Sequence, residues 1–573
     1  LRSATASRAK GWERIAVAAL LVLHGALAVW GATRNSVTFD ENFHVAAGVA
    51  FVTRADPWVS PLNPPLVKAM SGLGALAAGA RLPADSARAS GDQVVVAESF
   101  MRANADRYHR VFFGARAVVV ALSLVLGWLV WRFAGRLYGG AAGLLALSFY
   151  VLAPEALAHA GLATLDLATG LGLLASVYAY QGFVRSGRWG WWWLTAAAVS
   201  YTFLTRFTAL YLVPVLLTLA AVAIRRGAVR HPGRLVLGTA LLVPVTLATL
   251  HAGYLGQTSF RPLREARFES RTMMRLQSRF PALRVPLPDA YLRGLDWLSL
   301  EAQAGNTPTY LLGRIHDEPV WYYFPLALAF KWPLGFIGAL AARTASGWRL
   351  RPRPRRRMSG WWVGVPAAAF LASAMFLLQV NAGVRYLFPL VPFLCVWLGG
   401  LAGRSAGEKP PAKRAGPRPV ARWATVGIGL AFLQCVESAA VAPWYLAFYN
   451  APSGGPGGGD RLVNDSNVDW GQGLLALRKE MRERGIQRIA LAYHGTTNPA
   501  VYGIDYDPYL GGPLEAGAEW FAVSSYYRVG LTQRMMTSQG RTDFVRFDFA
   551  ALDRLAPVAR PARCMYLYRL PRR

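Results

Sequence analysis

Acidic residues are scarce in this chain: 31 Asp and Glu stand against 62 Lys and Arg in 573 residues, and charge of either sign makes up only 16%. A soluble domain carries about 25% charged residues, so there is too little here to coat a water-exposed surface. Cysteine is nearly absent. Cys395, Cys435 and Cys564 lie far apart and the first two fall in apolar runs, which excludes a disulfide framework or a zinc spacing and leaves packing as their use. No small-residue cleavage pattern follows the N-terminal apolar stretch, so it reads as a first span rather than a secretory signal. Internal repeats and paired broken helices, frequent in transporter folds, are also missing.

What is present is apolar sequence, 54% of the chain, in recurring runs of about 20 residues. These runs predict a mainly α, polytopic helical bundle. Spans are expected near 15–33, 111–133, 139–156, 163–184, 190–205, 207–224, 234–255, 321–342, 360–379, 384–403 and 423–443, about eleven in all. The net charge of +31 suggests nucleic acid only if its placement is ignored. Arg2, Arg8, Lys10 and Arg14 set the N-terminus inside by the positive-inside rule. Alternation then puts Arg132/Arg136, Arg185/Arg188, Arg225/Arg226/Arg230, the run Arg349 to Arg357 and the stretch Glu408 to Arg422 on the same cytoplasmic side. The C-terminus is expected outside, and no nucleic-acid partner is implied.

Two long outer loops follow from this topology, 34–110 and 256–320. Both hold amphipathic pieces, "ESFMRANADRYHRVFF" and "REARFESRTMMRLQSRF", of the kind that lie along a membrane interface among its lipids. Leu66 to Leu82 is apolar but rich in Gly and Ala, and reads as re-entrant or interfacial. After Tyr449 the segment "NAPSGGPGGGD" reads as a flexible linker. It divides a membrane domain, 1–449, from a small α/β domain, 450–573, with a helix signal in "NVDWGQGLLALRKEMRERG" and β-rich runs in "RIALAY", "WFAVSSYY" and "CMYLYRL".

Polar residues where polarity is costly mark the candidate chemistry. Asp166, Arg206 and Arg385 sit at outer ends of predicted spans, Lys331 lies deeper, and Asp40, Glu41, His44 and Lys68 belong to the first outer loop. Each has a structural alternative. Thr38 and Glu41 have the spacing of a capping box, with Asp40 complementing the helix dipole. Asp166 with Arg206 or Arg385 fits an interhelical ion pair, Lys331 a snorkelling lysine, and His44 a satisfied interfacial histidine. Asp465, Asn467, Asp469 and Trp470 fit a turn at a helix start better than a ligand site.

The order of several motifs adds a resemblance. "FDENFH", "NPPLVKAM", "LAPEALAHAGLATLDLATG", "FLTRFTALYLVP", "YLLGRIHDEPVWYYFPLALAFKWPL" and "VRYLFPLVPFL" follow one another as in GT-C glycosyltransferases of the protein O-mannosyltransferase and aminoarabinose-transferase (family 39-like) type. "DSNVDWGQGLLAL" resembles the start of the outer domain of bacterial members. The resemblance implies transfer of a sugar from a polyprenyl-phosphate donor to a protein, lipid or glycan acceptor on the outer face. In such a displacement the acceptor hydroxyl needs a base and the departing phosphate needs cations.

Position by position, Asp40 resembles the first-loop catalytic carboxylate, and Glu41 the second acidic residue, which orients or caps. His44 would share Asp40's helix face. Asp166 resembles the second acidic site. Arg385 and Tyr386 match an "RY" pair suited to phosphate, with Lys68 and Lys331 as weaker phosphate candidates. Arg206 joins the substrate-binding set. Asn63 stands where the family often has a metal-binding type of residue, and His316 is a lone loop histidine. No metal or other cofactor is expected. The rival reading is a transporter or flippase for an anionic or lipid-linked substrate, and Arg-, Ala- and Gly-rich usage suggests a bacterial inner membrane.

Overall fold

The computed structural model describes residues 2–83, 93–256, 260–304, 308–349, 359–403, 419–509, 511, 518–532, 536–537, 540–541, 547 and 549–571. Most of the two basic stretches expected on the cytoplasmic side, 350–357 and 408–418, lies outside them. Helices overlap each predicted span. They are α1 (Arg2–Arg34), α2 (Phe39–Arg54), α3 (Leu66–Ala77), α4 (Gln93–Ala103), α5 (Tyr108–Tyr138), α6 (Gly140–Val151), α7 (Pro154–Ala160), α8 (Asp166–Ser186), α9 (Trp189–Phe203), α10 (Leu212–Arg225) and α11 (Pro232–Gly253). The second half adds α12 (Arg271–Arg279), α13 (Asp289–Ala304), α14 (Tyr323–Lys331), α15 (Leu334–Arg349), α16 (Trp361–Phe376), α17 (Leu390–Gly399), α18 (Pro419–Ala439) and α19 (Leu474–Glu483).

Among the described residues five helices are long and apolar enough to cross a membrane, or up to seven if bent pairs count as one span each. The bends have identifiable causes. Pro154 starts α7, which is turned 65° from α6, and Pro333 separates α14 from α15 by 113°, because proline cannot continue the hydrogen-bonded ladder. The segment 321–342 is therefore sharply broken, and Lys331 sits at its corner. Large apolar side chains remain exposed around the bundle, among them Val22, Phe376, Ile428 and Phe432, as a lipid-facing surface requires.

The Gly- and Ala-rich stretch has a packing reason. α3 has 12 residues, about 18 Å long and too short to cross a bilayer, and it is clamped between α2 and α5. A Cβ added at Gly48 would lie 1.9 Å from the Lys68 carbonyl oxygen, and one at Gly74 would lie 2.4 Å from that of Gly114. Small residues thus let three backbones touch, and this contact brings Lys68 beside the helix that carries His44.

Beyond Tyr449 the chain forms a four-stranded sheet. Its strands are β3 (Arg488–Ala492), β4 (Asp505–Pro508), β5 (Trp520–Ser524) and β8 (Met565–Arg569), in the order β4-β3-β5-β8. Two short hairpins lie outside it, β1 (Thr309–Leu311) with β2 (Arg314–His316) and β6 (Met536–Thr537) with β7 (Gly540–Arg541). β3 runs parallel to β4 and β5, while β8 is antiparallel to β5. The predicted β-rich runs are β3, β5 and β8. β4, with the sequence DYDP, has only Tyr506 among strand-favouring residue types and lies at the edge, largely exposed.

The glycine-rich segment after Tyr449 is not the expected free linker. It folds into consecutive 3-10 turns, and the Asn450 amide donates to the carbonyls of Ala329 (2.6 Å) and Trp332 (2.9 Å). The carbonyls exposed where α14 stops at Pro333 are the ones it satisfies.

Candidate active site

Residues 35–38 connect α1 to α2 at one end of the bundle, and Asp40, Glu41 and His44 lie in the first turns of α2. The capping box read from Thr38 and Glu41 is present: the Thr38 amide donates to Glu41 Oε2 at 2.8 Å. Glu41 then turns away from solvent. Arg116, rising from α5, donates Nε to Glu41 Oε1 (2.8 Å) and Nη2 to Oε2 (2.7 Å), and both side chains are fully buried. The Ala163 amide supplies another donor at 2.7 Å. Burial by itself would raise the Glu41 carboxyl, but Arg116 and these donors outweigh it and hold it below the ordinary value. With both oxygens occupied, Glu41 is placed to orient the loop rather than to exchange protons.

Asp40 faces the other way. Its Oδ2 accepts from Arg385 Nη1 at 2.5 Å, and its side chain stays 27% exposed. Arg385 comes from the short turn before α17, where its guanidinium carbon lies 4.9 Å from the Tyr386 ring centroid and 4.1 Å from that of Trp470. Its Nε is buried with no hydrogen-bond partner among the described residues. Arg206 approaches the Tyr386 ring at 5.6 Å and pairs with Asp166, the first residue of α8. Asp40, Arg385, Tyr386, Arg206 and Asp166 therefore form one connected cluster.

His44 lies one turn along α2, among Asp40, Lys68, Arg206 and Asp166. Burial pushes its imidazole down to about 4, so it is neutral at ordinary pH. Lys68 is buried beside it and donates to the Ser60 carbonyl at 2.6 Å. Lys331 is elsewhere. Its ammonium is engaged by the carbonyls of Leu446 (2.8 Å) and Asn467 and by the Tyr449 ring, which makes it a fastener between α14 and the C-terminal segment. Among the described residues, no group of three or more His, Cys, Asp or Glu is disposed to hold a metal ion.

Five contributors were not singled out as site residues from sequence. Arg116 is a charge well inside an apolar run, a signal in plain view. Glu301 on α13 carries a solvent-reached carboxyl that is nonetheless ringed by protein; burial and the charge of Asp40 push it up to about 7. Asp465, whose backbone takes a left-handed φ of 63°, is likewise pushed up to about 7 by burial, against the attraction of Arg385. Trp470 holds both partners of the central pair, since its carbonyl accepts from the Phe39 amide at 2.9 Å while its ring covers Arg385. Asn467 braces the same region, accepting from the Val384 amide (3.0 Å) and donating to the Tyr323 hydroxyl (2.7 Å). The stretch expected to be a turn at a helix start is thus a wall of the site.

A charged cluster of this composition, confined to one end of an apolar bundle, is suited to an anion carried in the membrane, and comparison with known proteins bears on it. Residues 101–250 match the dolichyl-phosphate-mannose-protein mannosyltransferase family. The matched segment, about a quarter of the chain, contains Asp166 and Arg206 but not Asp40 or Arg385. It bears out the GT-C resemblance read from the motif order and supports a membrane glycosyltransferase. No curated protein sequence matches the chain. Among solved structures, the chain is similar to ArnT from Cupriavidus metallidurans bound to undecaprenyl phosphate, at 14% identity and a TM-score of 0.47, covering 98% of each chain. It is also similar to the oligosaccharyltransferase AglB from Archaeoglobus fulgidus in complex with an inhibitory peptide and a dolichol-phosphate, at 10% identity and a TM-score of 0.45, covering 93% of this chain and 74% of that one. At such scores neither likeness bears on the chemistry of this chain.

Proposed function

We propose that the protein transfers a sugar from a polyprenyl-phosphate-linked donor to an acceptor hydroxyl at the outer face of a bacterial inner membrane, with inversion at the anomeric carbon. The observation that carries this reading is the Asp40–Arg385 pair within the cluster of Tyr386, Arg206 and Asp166. In the resting site Arg385 is neutralised by Asp40. An arriving donor phosphate offers the guanidinium a competing anion, aided by the Nε that has no partner among the described residues, and frees the Asp40 carboxylate beside the sugar. The acceptor oxygen then forms its bond to the anomeric carbon while the bond to the phosphate oxygen breaks. Asp40 takes the acceptor proton, and the phosphate leaves with the electron pair, held by Arg385 and Arg206.

On this reading residues 1–449 form the catalytic membrane domain and 450–573 an outer domain whose first turns complete the site. His44 and Asp166 are suited to contact sugar or acceptor hydroxyls, and Lys68 supports the same wall. The acceptor class, protein, lipid or glycan, is to be read by comparing the glycans of a deletion strain with those of its parent by mass spectrometry. The direct test is Asp40→Asn assayed for transfer from a radiolabelled polyprenyl-phosphate sugar. A fall of at least about a hundredfold, within the range for loss of a general base, is expected. Transfer at the wild-type rate would remove Asp40 from the mechanism, and movement of labelled lipid across vesicles with no transfer would favour the transporter reading.

A further inference from the structure

A polar cavity lies at the other end of the bundle. Its volume is about 500 Å³, and Glu13, Trp131, Arg132, Arg136, Tyr178 and Trp191 line it. Two helices connect it to the site already described. Arg116 and Arg136 are about 20 residues apart on α5, and Glu13 and Arg34 about as far on α1, which places the cavity about 30 Å from the Glu41 anchor. That is the thickness of a bilayer's hydrocarbon core, so the cavity lies at headgroup depth on the opposite face.

The lining is built. The Arg136 guanidinium carbon is 4.5 Å from the Trp191 ring centroid and 5.1 Å from that of Tyr178, and those two rings meet edge to face at 5.6 Å. Trp191 is seated on bare backbone: a Cβ at Gly182 would fall 2.3 Å from its ring. Arg132 lies over Trp131 at 5.4 Å, and the Trp131 indole N–H donates to Glu13 Oε1 at 3.2 Å. Arg136 Nη1 is buried with no hydrogen-bond partner among the described residues. Two guanidiniums against one carboxylate leave this aromatic-walled cavity one positive charge in excess.

We propose that this cavity binds the phosphodiester headgroup of an anionic phospholipid from the leaflet opposite the catalytic cluster. A single phosphodiester charge neutralises the excess, planar guanidinium donors fit its two free oxygens, and the indole and phenol rings accommodate the glycerol and first methylenes. A zwitterionic lipid brings an ammonium that the two arginines repel. Free phosphate shares the anion chemistry but gains nothing from the aromatic walls. Glu13 opposes any anion, and so sets the affinity below what the arginines alone would allow.

The full chain in detergent is titrated with phosphatidylglycerol, phosphatidylcholine of the same acyl chains, or inorganic phosphate, and bound lipid is counted by native mass spectrometry. Phosphatidylglycerol is expected to bind at least about fivefold tighter than phosphatidylcholine, roughly 1 kcal/mol. Arg132→Gln with Arg136→Gln should abolish that preference. Glu13→Gln keeps the oxygen that accepts from Trp131 and removes the opposing charge, so it should tighten phosphatidylglycerol binding about threefold, a gain that misfolding does not produce. Equal binding of the two lipids, an unchanged preference in the double arginine variant, or no gain in Glu13→Gln would each overturn the proposal. Complete displacement of the lipid by millimolar phosphate would overturn the lipid assignment in favour of a free-anion site.

Discussion

Replacing Arg116 with methionine separates scaffold from chemistry in the segment that joins α1 to α2. The guanidinium makes two bonds to Glu41 and three to the carbonyls of Ala32 (2.7 Å), Asn35 (2.8 Å) and Ser36 (2.8 Å), so it closes the turn that presents Asp40. Methionine matches much of its apolar stem but strands the Glu41 carboxylate, which among the described residues retains Thr38 and Ala163 as donors. Breaking a buried pair from one side costs about 3–5 kcal/mol, against a total stability of about 5–15 kcal/mol. Arg116→Met with Glu41→Gln removes both charges and should recover about half of that loss. Thermal unfolding of the detergent-solubilised wild type, both single variants and the double variant gives the coupling energy. It is expected to be about 2 kcal/mol or more; a value below about 0.5 kcal/mol would refute the buried-pair account. Transfer measured on the same four proteins checks the division of labour. If Glu41 only orients, the double variant keeps more transfer than the Asp40→Asn variant does. A stable double variant with no transfer at all would place Glu41 in the chemistry.

Other perturbations probe the remaining elements. Trp470→Phe keeps a π face over Arg385 and should retain transfer within about threefold, whereas Trp470→Leu forfeits a contact worth about 1–2 kcal/mol and should lower kcat about tenfold; equal rates would remove Trp470 as a positioning residue. Asp465 and Glu301 have folded-state carboxyls pushed up to about 7, so the folded chain binds their protons more tightly than the unfolded one between their ordinary values and about 7. Their contribution to stability is full below the ordinary carboxylate range and is lost as pH rises through about 7, and thermal midpoints should show a fall over that window that Asp465→Asn flattens. Transfer is expected to survive EDTA, and loss of activity restored by a divalent cation would contradict this.

Several features were legible in the residues themselves because they depend on local or one-dimensional physics. Apolar runs of spanning length, capping chemistry at Thr38 and Glu41, and β-rich runs at β3, β5 and β8 need no knowledge of what lies across the chain. The grouping of Asp40, Asp166, Arg206, Arg385 and Tyr386 was reachable as well, because alternating spans put all of their ends at one face. Partner choice was not. Nothing in "TFDENFH" distinguishes the carboxylate that meets Arg116 from the one that meets Arg385, although the two are neighbours in sequence. The expected roles of Lys331 and of the glycine-rich stretch after Tyr449 likewise turned on contacts made more than a hundred residues away. Sequence alone determined that this is a membrane bundle with charge gathered at one end, since hydropathy and capping act over a few turns. Tertiary structure alone decided which charges neutralise one another and that the segment after Tyr449 supplies Trp470 and Asp465 to the site. Electrostatic pairing depends on distances of a few ångströms, and only the packed chain sets those.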